Sequence, residues 1–186
     1  RIFIIKGGPG TGKSNFMEGI AHEIGKRGYD IEYMHCSSDP ESLDGIVLPQ
    51  IGTALVDGTA PHVVDPKIPG AVDEIINLGE YWNDEGISKH RNEISEISKE
   101  IGMNFARAYR YLKAAASIYE DTSAIFDMAQ NTGKLNIIAN DIEKTFMNGI
   151  DISEKEGRER SLFASAITPD GLKNHLDTAL IGSKVY

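Results

Sequence analysis

The chain has one cysteine, Cys36, so no disulfide can close within it, and the fold must be held by burial and hydrogen bonding. A lone thiol fits a reducing cytoplasm. Basic residues are outnumbered, with 19 Lys and Arg against 28 Asp and Glu, giving a net charge of −9. A general nucleic-acid surface needs Lys and Arg massed against phosphates, so this balance argues against one. No apolar run approaches the roughly 18 residues of a bilayer span, and no membrane role is expected. Internal repeats and low-complexity tracts are also lacking. What remains, 40% apolar and 25% charged residues in 186, is the composition of a globular chain, long enough for one core with an appended helical part.

Glycine is plentiful in one place. The stretch "RIFIIKGGPGTGKSNF" satisfies G-x-x-x-x-G-K-[ST] with Gly7, Gly12, Lys13 and Ser14 in the diagnostic positions. Ile2 to Ile5 precede it as a continuous apolar run suited to a buried parallel strand. After it, Phe16, Ile20 and Ile24 recur every four residues beside Met17 and Ala21, and Gly28 stands where a helix ends. Strand, loop and helix is the context a phosphate-binding loop requires. The candidate contacts for a nucleoside triphosphate are Gly7, Gly8, Pro9, Gly10, Thr11, Gly12, Lys13, Ser14 and Asn15. The glycines bring backbone N–H groups close to the phosphates, Lys13 answers the β- and γ-phosphate charge, and the Ser14 hydroxyl is a ligand for Mg²⁺.

A second Mg²⁺ ligand is expected at the end of a neighbouring apolar strand. Ala54, Leu55 and Val56 lead into Asp57, and Val63 and Val64 lead into Asp65. Asp57 is preferred, since the Asp57-Gly58 turn would leave its carboxylate at the mouth of a parallel sheet. Gly58 stands where many ATP-hydrolysing proteins place a water-orienting Glu. Any catalytic carboxylate must therefore come from elsewhere. The loop "HCSSDPESLDG", after a strand pattern over Ile31 to Cys36, offers Asp39 and Asp44 as acids that contact an acceptor hydroxyl, with Glu41, His35 and His62 as lesser candidates. Ser, Asp and Pro in such loops also serve simply as turn formers.

From Pro69-Gly70 helical spacing takes over. Val72, Ile75 and Ile76 predict one helix, ended by Trp82 and Asn83. A long amphipathic helix follows from Ile87 through Tyr119, interrupted by Gly102, and further patterns run through Ile125 to Ala129 and Leu135 to Phe146. Together they predict an inserted hairpin or bundle over 70–157. The nucleotide-binding core then comprises 1–69 and 158–186. Arg107, Arg110 and Lys113 share one helix face, and with Arg158 and Arg160 they are candidates for an arginine finger, though such residues more often line a solvated face. "SLFASAI" predicts a further strand of the sheet, and the residues after Thr168-Pro169 a helix. The fold class is α/β, a mostly parallel sheet flanked by helices with a long helical insert.

The stretches "RIFIIKGGPGTGKS", "YMHCSSDPESLDG", "VDGTAPHVVDPKIPGAVDEIINLG" and "LFASAITPDG" resemble a largely uncharacterised group of bacterial P-loop ATPase-like proteins that carry two P-loop modules in tandem. The resemblance spans most of the chain, and the first and third stretches are its most specific parts. It implies ATP binding at Gly7 to Ser14, and a second module after the strand begun by Lys184-Val185-Tyr186, so that this chain is the first module of a longer protein. Asn15 departs mildly from the usual Thr. No guanine-reading Asn-Lys-x-Asp is present, which favours ATP. Three functions follow as expectations: an ATP-binding, Mg²⁺-dependent NTPase, slow unless a second module or a protein partner completes the site; a small-molecule or nucleotide kinase; and a nucleotide-gated interaction module whose helical hairpin binds a protein partner or a second copy.

Overall fold

The computed structural model describes residues 1–60, 62–150, 162–163 and 165–176. Two compact units share them, one built on Arg1–Asn83 with the described residues from 162 to 176, the other beginning at Asp84.

The first unit is α/β. Its sheet has five strands in the order β2-β3-β4-β1-β5, namely β1 (Ile2–Lys6), β2 (Glu32–His35), β3 (Leu43–Leu48), β4 (Thr53–Asp57) and β5 (Asp73–Asn77). The sheet is mixed rather than mostly parallel. β1 runs parallel to both β4 and β5, while β3 is antiparallel to β2 and to β4. The reason lies in the connections, because only the short 3₁₀ turn Pro49–Ile51 and Gly52 separate β3 from β4, and a parallel return needs a dozen or more residues.

Helix α1 (Lys13–Gly25) covers one face of this sheet. Met17 and Ala21, four residues apart, are fully buried and meet Ile5, Leu43, Ile46, Leu48 and Leu55, with Ile20 and Ile24 at the margin. Strand alternation supplies that apolar face, and it is kept by a local irregularity. His35 pairs with Leu43 and Met34 with Gly45, so Asp44 is an extra residue on β3. The bulge carries Leu43 into the core and excuses Asp44 from it.

Two expectations change. Val72, Ile75 and Ile76 do not mark a helix: Asp73–Asn77 is β5, in register with β1 from Ile2↔Asp73 to Lys6↔Asn77. The buried Asp73 carboxylate accepts the Lys67 and Ile68 N–H groups at 2.7 and 2.8 Å, and this closed turn delivers an extended chain beside β1. Residues 70–83 thus belong to the sheet unit. The second correction concerns the C-terminal stretch, where β6 (Ser165–Thr168) pairs antiparallel with β7 (Gly171–Asn174) in a separate two-stranded sheet. Pro169-Asp170 turn the chain, Gly171 takes φ 96°, and Thr168 Oγ1 donates to Gly171 O at 2.8 Å. Among the described residues the local hairpin stands in place of both the further strand of the main sheet and the helix expected there. Arg158, Arg160 and the final strand pattern at 184–186 lie outside the described residues.

The second unit comprises α2 (Asp84–Lys89), α3 (Arg91–Ala129) and α4 (Thr132–Met147). Gly102 leaves α3 unbroken, and Asn131 Oδ1 caps α4 by accepting Lys134 N–H at 3.0 Å. Neither α3 nor α4 buries a single residue, so no bundle core forms between them among the described residues. Among the described residues no helix is long and apolar enough to cross a membrane.

Met17 is the test of the core. Met17→Ala should destabilise the sheet unit by about 2–5 kcal/mol, seen as a lowered denaturant midpoint with an unchanged slope.

Candidate functional site

Parallel pairing of β1 with β4 and β5 brings three strand ends to one edge, and the loop Gly7–Gly12 leaves from the central one. The loop turns through left-handed backbone at Gly10 and Gly12, φ 75° and 79°, which only glycine adopts without strain. Gly12 is also the residue that opens α1. No side chain caps that helix start and its first turn holds no acid, so its partial positive charge faces the loop uncompensated by either. Thr11 pins the turn, its Oγ1 donating to Gly8 O at 2.8 Å.

Lys13 folds back over the loop. Its Nζ donates to Gly7 O at 2.9 Å and Gly8 O at 3.0 Å, and stands 3.5 Å from the Asp57 carboxylate. The two side chains are only 12% and 22% exposed, so their attraction is less screened than that of a surface pair. Asp57, the last residue of β4, is itself oriented: its Oδ1 accepts Thr59 N–H at 2.8 Å and the Thr59 hydroxyl. Ser14 Oγ accepts Leu43 N–H at 2.9 Å and donates to Glu18 at 3.3 Å, tying α1 to the start of β3. An ammonium, a carboxylate and a hydroxyl are thus gathered around a helix start. Such a set suits an anion and a hard divalent cation together.

No group of three or more His, Cys, Asp or Glu is placed to hold a metal among the described residues. Mg²⁺ does not require one, since it commonly takes one or two carboxylates and completes its shell with water and phosphate oxygens. Asp57 and Ser14 are of the right chemistry for that share.

The other sequence candidates are dispersed. Asp65 is held by Lys6 at 3.0 Å, and the same ammonium donates to Gly58 O and Val64 O, clamping the segment after β4. It is Asp57, not Asp65, that meets Lys13. Asp39 accepts the Ser42 hydroxyl at 2.5 Å and closes the loop before β3, the turn-forming role open to such residues. Asp44, at the bulge, lines a cavity of about 330 Å³ with Glu32, Tyr33, Cys36 and Lys173. His35 and His175 stack at its wall, ring centroids 3.6 Å apart. Pro9, Asn15, Glu41 and His62 are exposed, as are Arg107, Arg110 and Lys113 on α3.

Thr59, which orients Asp57, and Lys6, which clamps the segment after β4, are not singled out by the sequence pattern. Thr59 had a signal, because Asp-x-Thr at a strand end favours the side-chain-to-backbone turn seen here.

Gly58 has a steric explanation. A Cβ there would overlap Ile4 Cγ2 and come within 3.1 Å of Val64 O. Gly58 N–H also donates to Ile5 O at 2.9 Å, which holds this backbone against β1. No side chain, and so no glutamate, fits after Asp57 in this packing.

Comparison of the chain with protein-family models, with curated proteins and with solved structures yields no match. The functional reading therefore rests on the geometry.

Gly58→Ala should cost about 1–3 kcal/mol through overpacking against Ile4, measurable as a fall in denaturation midpoint. A neutral result would show that the segment after β4 yields freely.

Proposed function

We propose that the chain is an ATP-binding P-loop NTPase module, of the tandem kind that its sequence resembles, with slow Mg²⁺-dependent hydrolysis until a second module, a partner protein or a second copy completes the site. The observation that carries this reading is Lys13 held between the loop carbonyls of Gly7 and Gly8 and the Asp57 carboxylate, at the start of α1.

In this reading Lys13 leaves its carbonyl contacts for the β- and γ-phosphates, where the charge it meets is far larger. Loop N–H groups and the positive end of α1 add a fixed field that needs no rearrangement. Ser14 Oγ and Asp57 are the residues that would hold Mg²⁺, which when bound would neutralise charge on the phosphate oxygens. Thr59 keeps the Asp57 carboxylate turned to its task by two hydrogen bonds. Water activation cannot come from position 58. With position 58 closed to a side chain, no residue follows Asp57 to orient an attacking water.

The kinase alternative has less support. Asp39 is engaged by Ser42, and the bulge sets Asp44 off the face that packs against α1. Phosphate appearing on an acceptor rather than in water would restore it.

Lys13→Ala should weaken ATP binding roughly ten- to a hundredfold by calorimetry, the value of a charged hydrogen-bonding group to a charged partner. Unchanged affinity would overturn the site. Asp57→Asn should abolish the Mg²⁺ dependence of binding while Asp65→Asn leaves it intact, and the opposite pattern would move the metal ligand to Asp65. If Mg-ATP releases no phosphate with any partner tested, the hydrolase reading fails and the nucleotide-gated interaction module takes its place.

A further inference from the structure

Trp82 is the only tryptophan of the chain, and it touches the glycine-rich loop. A Cβ on Gly8 would lie 2.9 Å from Trp82 Cζ2 and 2.9 Å from Cη2, so the six-membered edge of the indole rests on the Gly8 backbone. Gly8 is not forced by a left-handed φ. Its missing side chain makes room for Trp82.

The placement follows from β5. Lys6 and Asn77 are register partners at the ends of parallel strands, so the loop after β1 and the 3₁₀ turn Leu78–Tyr81 after β5 leave the sheet side by side. The turn is firmly set: Leu78 packs on the core, Asn77 Oδ1 accepts Gly79 N–H at 3.0 Å, and Trp82 N–H donates to Gly79 O at 3.2 Å. Trp82 is nonetheless 42% exposed. An indole with one edge on the loop and much of its surface in water is poised for a second contact.

The opposite flank of β1 carries the carboxylate of the site. β4 delivers Asp57 beside Lys13, which marks the metal and terminal-phosphate end of the site. On the β5 side of β1, Trp82 is the aromatic ring against the loop, where a nucleoside leading off loop-bound phosphates would meet it.

We infer that Trp82 is the nucleoside-recognition residue of this site, stacking its indole against the base. The inference rests on the ATP-binding reading above. Base stacking on an aromatic ring is worth on the order of tenfold in affinity or more, and it accepts any base with a π-face. Trp82 therefore separates nucleotides from inorganic polyphosphate rather than one base from another.

Calorimetry of wild type, Trp82→Ala and Trp82→Phe with Mg-ATP and with inorganic tripolyphosphate tests this. Trp82→Ala should lose about tenfold for ATP and little for tripolyphosphate, with Trp82→Phe recovering much of the loss. In wild type, intrinsic fluorescence should change on adding ATP and far less with tripolyphosphate. Equal losses for both ligands would make Trp82 a support of the loop only and overturn the inference, as would full ATP affinity in Trp82→Ala. ATP binding weakened by Lys13→Ala but untouched by Trp82→Ala would leave the nucleotide reading standing and this one fallen. A wild-type protein that binds tripolyphosphate but gains nothing from the nucleoside also overturns it, and one that binds neither removes both readings.

Discussion

β1 has a neighbour running in its own direction on each side, and the rest of the sheet unit is organised by that fact. Parallel strands end at the same edge, so the chain must leave there three times, after Lys6, after Asp57 and after Asn77. Each departure delivers one component: the glycine-rich loop, the carboxylate that meets Lys13, and the turn that carries Trp82. Hydrogen bonds along β1 set the relative heights of these segments to a fraction of a residue. A slip of one register position would separate Asp57 from Lys13 and reverse the faces of Ile4 and Ile5.

The charge balance within the loop bears on how the site behaves without a ligand. Lys13 is already well provided for, with two carbonyl acceptors and a nearby carboxylate. A largely buried ammonium needs such partners, since an unpaired one would cost several kcal/mol. Affinity for an anion is consequently a difference between two sets of contacts. The loop is pre-shaped, and in the proposed nucleotide complex the lysine is the part that would change partners.

Much of this site was legible in the sequence. The loop, the apolar strand before it and the four-residue spacing of α1 are all local patterns, and Asp57 was singled out from the strand preceding it. β5 was not legible, because Val72, Ile75 and Ile76 are too few to separate a helical from an extended period, and the deciding contact is Asp73 with backbone groups five and six residues earlier. The sheet's mixed direction followed from a short β3 to β4 link whose meaning depends on which strands are neighbours. Asp44 shows the same limit, since the bulge is defined by pairing with β2. In α3 the amphipathic spacing predicts the helix correctly but also implies a buried face, and Ile94, Ile97, Ile101 and Phe105 along it are all exposed.

The overlap between position 58 and Ile4 also constrains how this scaffold can change over generations. Two residues that share one small space are not independent, and the effect of altering either depends on the other. An acidic side chain arriving at 58 meets Ile4 first, so it is harmful before it can be useful. A smaller residue at 4 opens the space but leaves a void in its place. Any lineage that gains a water-orienting acid at position 58 must pass through one of these two costly intermediates.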